Sequence, residues 1–414
     1  MKKIVAIVSV LLCCFNLFAV EFEGISYNIS SSEAKTVSVG KNANASGTIS
    51  IPSSITYNDE VYAVTSVEDS AFFDCSTITS ISLPNSVTTI GKYAFRGCSK
   101  LESINIPDGV TFMGIGAFER CSNLTSINIP EGVTSIGNSA FSGCSNLTSI
   151  NIPEGVTSIG KYAFYGCSNL TSINIPEGVT SLGFEHTFYG CESLTSITIP
   201  EGIKSIPISA FEGCSSLKTI TLPKSLTSIE LWAFRNCTSL TSINIPEGVT
   251  SIRTAFDGCS NLTSINIPEG VTSIDGFRSC TSLTSITIPE GVTYLSGFYN
   301  CYNLTSVTLP NSLTQLGADA FRSCTSLTSI TLPNSLKKIG QDAFRGCGIT
   351  SITIPRGVTS IATRAFYQGV LDTLSLSGWV EEKGDLRLNG NVMIYVPCGL
   401  IDAYQADEYW KKFP

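Results

Sequence analysis

The chain of 414 residues has one histidine, three methionines and three tryptophans, and only 14% of its residues are charged. A single imidazole, His186, cannot build a His-rich metal centre, and without a positioned acid or nucleophile it reads as a surface residue rather than a catalyst. No C-x-x-C pair starts a zinc site, and no G-x-S-x-G, H-E-x-x-H or phosphate-loop pattern is present. No enzyme, cofactor or metal is therefore expected. Positive charge is also scarce: 25 Lys and Arg stand against 33 Asp and Glu, a formal charge of −8. That balance argues against a nucleic acid or an anionic membrane as partner. Long apolar runs are missing after the first 20 residues. The run from Ile4 to Phe18 follows Lys2 and Lys3 and precedes Ala19. It is shorter than the ~20 residues of a membrane span, so residues 1–19 are expected to be an export signal and no span is expected. Within it, Cys14 in "LLCC" loosely resembles a bacterial lipidation site.

What the chain does have is repetition. "CSNLTSINIPEGVTSIG" at residues 121–137 recurs unchanged at 144–160. Cysteines fall at 75, 98, 121, 144, 167, 191, 214, 237, 259, 280, 301, 324 and 347, with spacings of 21 to 24 residues. A fixed period of this length, carrying L-x-x-I-x-I/L in every copy, indicates an α/β-type leucine-rich-repeat solenoid with mostly short parallel strands, turns and little helix. About 13 repeats of 21–24 residues are expected over residues 71–369. Residues 20–70 are expected to form an N-terminal cap and first degenerate turn, and 370–414 a last degenerate turn and C-terminal cap.

Within the copy Cys121–Gly143, Ile127 and Ile129 alternate with polar residues and suit a short strand. Pro130 removes a backbone donor and Glu131-Gly132 supplies a turn. Val133 and Ile136 point inward from a second extended piece, and Ala140 and Phe141 complete the inward set on the return side. One copy cannot enclose these side chains, so each must stack on its neighbours, about 4.8 Å apart. Length changes fall between the second Ile/Leu and the Phe, which places them away from the strand; a flatter stretch is expected around residues 240–303.

Four columns follow. The cysteines read as a ladder of buried small hydrophobes, mostly thiols. The residue after each Pro, such as Glu131, Glu154 and Glu177, forms a solvated acidic stripe rather than a cation ladder. The outward strand positions, including Asn128, Asn151 and Asn174, form a small, neutral, hydrogen-bonding surface. The positions near Phe on the return side are more varied: Tyr162, Tyr165, Tyr189, Trp232, Arg235, Tyr299 and Tyr302 are residue types that anchor partners. These seven and the three asparagines are the candidate ligand contacts.

The repeat C-x-x-L-x-x-I-x-I-P-x-x-V-x-x-I…A-F-x-x-C, with the terminal "IYVPCG…AY…W", resembles the BspA-type leucine-rich repeat proteins of bacterial surfaces. That resemblance covers nearly the whole chain after the signal. It implies a secreted or cell-surface protein, and several such proteins act as adhesins. The expected role is binding of a host extracellular-matrix protein, a glycan or the surface of another cell, through many weak contacts along an extended scaffold. A structural coat component with weak self-association is the alternative.

Overall fold

The computed structural model describes residues 19–412, apart from 379, 381, 384–387 and 389–391. The expected export signal, residues 1–18 with Cys13 and Cys14, lies outside the described residues.

The repeat folds as one flat turn of chain. Ser126–Asn128 is a strand with Ile127 buried between two exposed neighbours. The Pro130 carbonyl accepts the Val133 N–H at 3.0 Å, closing the turn around Glu131-Gly132. A second strand, Ser135–Ile136, buries Ile136. The chain then returns through Ala140 and Phe141, both fully buried, to Cys144. Two corners make the return possible. The residue before Ala-Phe and the residue before Cys take left-handed backbone, as at Ser139 (φ 54°) and Gly143 (φ 74°).

Turns up to Ile203 and turns from Lys204 on form two compact units. In the first, Ser126–Asn128 pairs in parallel and in register with Ser149–Asn151. Ser135–Ile136 pairs likewise with Ser158–Ile159. On the return side the Phe118 N–H donates to the Ala140 carbonyl at 2.9 Å. These turns are thus tied to their neighbours at three places around the circuit. The second unit repeats the scheme: Ser242–Asn244 pairs with Ser264–Asn266, and Phe321 N–H meets Ala343 O at 2.7 Å. The result is a parallel-strand solenoid of about 15 turns with almost no helix.

The core is built of columns. Phe72, Phe95, Phe118, Phe141, Phe164 and Phe188 stack at centroid separations of 5.3–5.7 Å. In the second unit Phe211 to Phe366 stack at 5.2–5.8 Å. The 13 repeat cysteines are buried free thiols. Their sulfurs do more than fill space. Cys121 Sγ donates to the Phe95 carbonyl of the preceding turn at 3.1 Å, Cys144 to Phe118 at 3.1 Å and Cys324 to Phe298 at 3.1 Å. The same carbonyl accepts the amide of its own turn's cysteine, Cys98 N–H to Phe95 at 3.1 Å. Each thiol therefore satisfies a buried acceptor while it packs.

The shortened turns keep this core by losing residues on the return. Phe277 and Phe298 are preceded by Gly276 (φ 145°) and Gly297 (φ 89°) instead of Ala. A Cβ on Gly276 would collide with the Thr254 Cα, and one on Gly297 with the Gly276 nitrogen.

At the N-terminal end β1 (Ala19–Phe22), β2 (Ile25–Ser31) and β3 (Thr36–Val39) form an antiparallel meander. β4 (Gly47–Ser50) and β5 (Ser54–Tyr57) follow, and β6 (Glu60–Val67) pairs in parallel with β3 and antiparallel with β5. At the other end Thr373–Leu376 lies between Ser351–Ile354 and Met393–Tyr395, all parallel. A short helix, α1 (Ile401–Ala406), follows; its Tyr404 is buried with Trp410, at 5.7 Å between ring centroids.

Candidate binding surface

The strand face is chemically plain. Asn128 and Asn151 are exposed and lie side by side in register; Asn174 is exposed one turn further on. Threonine hydroxyls there are turned to structural use: Thr148 donates to the Thr125 carbonyl at 3.2 Å and Thr171 to Thr148 at 3.1 Å. Ser126–Asn128 and Ser149–Asn151 present only Ser and Asn outward, whereas in the second unit the exposed Tyr395 pairs in register with Ser375.

The return face differs. In the first unit it brings Tyr162, Tyr165 and Tyr189 together with Lys161, Phe184 and His186. Tyr165 and Tyr189 stack at 4.8 Å with an interplanar angle of 5°. Tyr162 stacks on His186 at 5.0 Å and 15° and meets Tyr165 edge-on at 5.8 Å and 61°. The Lys161 ammonium lies 4.8 Å from the Phe184 centroid and 5.6 Å from that of Tyr162. Phe184 is 64% exposed, the highest among the large apolar side chains of the described residues. Burial, with help from the Glu185 charge, raises the Tyr162 hydroxyl above its ordinary pKa. His186 Nδ1 is 3.6 Å from Glu185 Oε2, too long for a hydrogen bond, and is buried without a hydrogen-bond partner.

Backbone geometry explains why these rings meet. Tyr162 (φ 57°) and His186 (φ 55°) occupy the left-handed corner before Ala-Phe or Thr-Phe. Bulky side chains avoid that conformation. The neighbouring turns fill the corner with Gly116 and Ser139. An extra residue in the Cys167–Cys191 turn, the one 24-residue spacing, swings Phe184 outward beside Lys161.

The second unit carries smaller groupings. Trp232 (φ 59°, 39% exposed) lies under the Arg235 guanidinium at 5.5 Å, and Arg235 Nη1 donates to Glu212 Oε1 at 3.1 Å. Tyr299 sits between Arg278 at 5.5 Å and Arg322 at 4.7 Å. Tyr302 is 44% exposed and lies in the segment between Cys301 and Leu304 that leads into the next strand, not in the Phe segment that carries Tyr299. The candidates therefore divide between two faces: the asparagines on the strand side, and the tyrosines and Trp232 with Arg235 on the return side.

Lys161 is part of the ring cluster although its residue type gives no hint of it. The lengthened turn was the one available signal. Among the described residues no group of three or more His, Cys, Asp or Glu is placed to hold a metal ion. No described helix is long and apolar enough to cross a membrane.

The stacked turns, the inward Leu/Ile/Phe columns and the short parallel strands define a leucine-rich-repeat solenoid. The description "BspA type leucine rich repeat region (6 copies)" matches residues 65–185, 184–297 and 295–386. The chain belongs to this family of bacterial surface repeat proteins, whose solenoids are generally not enzymes. A leucine-rich repeat protein from Bacteroides ovatus is 33% identical over 91% of this chain and 99% of its own, with a TM-score of 0.78. One from Eubacterium ventriosum is 24% identical over 80% and 94%, with a TM-score of 0.51. A leucine rich cell surface protein from Faecalibacterium prausnitzii is 26% identical over 92% and 94%, with a TM-score of 0.47. No curated protein matches the chain.

Proposed function

We propose that the chain is exported and displayed at a bacterial surface, where its return face binds a host extracellular-matrix protein, a glycan or the surface of another cell. The repeat proper, residues 71–369, is the binding scaffold, and residues 20–70 and 370–414 close its ends. The observation that carries this reading is the return face itself. There the repeat departs from its own pattern, and the departures are exposed rings and guanidiniums, the groups that anchor macromolecular partners. Membership of a family of surface proteins and the apolar run behind Lys2 and Lys3 support export.

Solid-phase capture of fibronectin, fibrinogen and immobilised glycans by the purified chain, run beside sedimentation velocity, tests the reading. Saturable capture by a monomer that is lost in the double variant Trp232→Ala, Arg235→Ala would place contact on the return face of the second unit. Capture that survives both this variant and Tyr165→Ala would reject the return face. Concentration-dependent polymers with no capture at all would replace the adhesin by a coat component.

A further inference from the structure

The Tyr165–Tyr189 stack stops abruptly. Going back one turn, the position of Tyr165 is held by Ser142, and one turn further by Glu119. The corner position of Tyr162 is likewise held by Ser139. Tyr165 therefore has Tyr189 on one ring face and no ring on the other, and it is 37% exposed. Turns repeat about every 4.8 Å, so roughly 9.6 Å separates the Tyr165 level from the Glu119 level. Two van der Waals contacts of about 3.5–4 Å each leave space for one ring lying parallel to Tyr165.

We infer that this ledge binds the pyranose ring of a neutral glycan, stacked on the open face of Tyr165 with Tyr162 as its side wall. The inference rests on the binding role proposed above and narrows its ligand. The surroundings favour a sugar over a protein anchor. The open ring face is one ring wide and edged by the short hydroxyl side chains of Ser139 and Ser142 rather than by apolar walls. A pyranose presents an apolar C–H face to the negative face of a ring and hydroxyls around its edge. Ser139 and Ser142 offer hydroxyls beside Tyr165, and Asn138 accepts the Lys161 N–H at 3.1 Å. Glu119, 3.2 Å from Arg96, and the exposed Arg120 bound the far side. Charges of both signs flank the ledge, so no single-sign field selects an anionic chain.

The test uses the full chain and three variants, titrated calorimetrically with cellohexaose, mannohexaose and chitohexaose. Tyr165→Ala removes the platform. Ser142→Tyr fills the slot with the chain's own ring, at a position whose backbone already carries tyrosine in the next two turns. Tyr165→Phe keeps the ring. The expected result is saturable binding of at least one hexasaccharide, weakened about tenfold or more by the first two variants and within about threefold of the parent in the third. Unchanged circular dichroism and unfolding midpoint show that the variants fold. Failure of all three sugars to bind, or binding indifferent to Ser142→Tyr, overturns the inference. If fibronectin or fibrinogen capture persists in the parent without sugar binding, the broader binding role stands and the glycan assignment falls.

Discussion

At the scale of single residues the cysteines illustrate how a repeat column combines packing with chemistry. Burial raises every repeat thiol with a resolved shift, Cys98, Cys144 and Cys259 to about 12 from the ordinary value of 9.0. A thiol whose folded pKa lies above its unfolded value adds stability that is complete below the unfolded value and lost as pH climbs towards the folded one. Thermal unfolding of the chain should therefore hold steady to about pH 8 and fall progressively above it, as unfolded thiolates accumulate. A midpoint unchanged at pH 11 would contradict the buried column. Reaction with a thiol reagent gives the complementary reading: of the cysteines from 75 onward, Cys398 reacts in the native state and the other 13 only after denaturation. The left-handed corners make a second residue-scale prediction. At Trp232 (φ 59°) glycine fits the backbone better than alanine, so Trp232→Gly should be more stable to urea than Trp232→Ala by about 1 kcal/mol.

At the scale of elements, what decides a turn is its length between the second strand and the phenylalanine. The paired strands keep register across the shortened turns: Ser273-Ile274, Tyr294-Leu295 and Gln315-Leu316 align without a shift. Shortening is absorbed by Gly276 and Gly297, whose backbones approach neighbouring turns too closely for a side chain. Gly276→Ala should cost about 2 kcal/mol or more, because the obstacle is backbone and the φ is positive. Gly399→Ala, where no atom lies within 4 Å of an added Cβ, should change the urea midpoint little. Much of this was legible beforehand. The inward columns, the second short strand, the return of Ala-Phe and the thiol state all follow from period and polarity. The sulfur-to-carbonyl bonds did not, because a buried Cys reads as a small hydrophobe whether or not it donates. Nor did the left-handed corners: Gly, Ser, Tyr, His, Trp, Asp and Arg all occupy one such position, so residue type carries no signature there. The ring cluster needed both pieces, since only the corner geometry brings Tyr162, His186 and Tyr165 into contact.

At the scale of the whole molecule, stability is a sum over contacts between adjacent turns rather than the property of one enclosed core. Excising residues 121–143 joins Arg120 to Cys144, and residues 144–160 repeat the removed 121–137. The shortened chain should fold, with a urea m-value reduced roughly in proportion to its length. Excising only residues 132–143 removes the return half of a turn, including Ala140 and Phe141, and should abolish cooperative unfolding. Circular dichroism melts of the two deletions, made side by side, distinguish a modular array from a globule. The net charge of −8 fits a solvated surface.

The sulfur-to-carbonyl bonds also bear on how the chain fares under oxidising conditions. An oxidant can link two cysteines only while their turns are open, since a closed turn commits each S–H to an oxygen in a dry interior. In an oxidising medium, folding is thus a race in which winding must outrun oxidation, and any cross-linked copy is one that lost it.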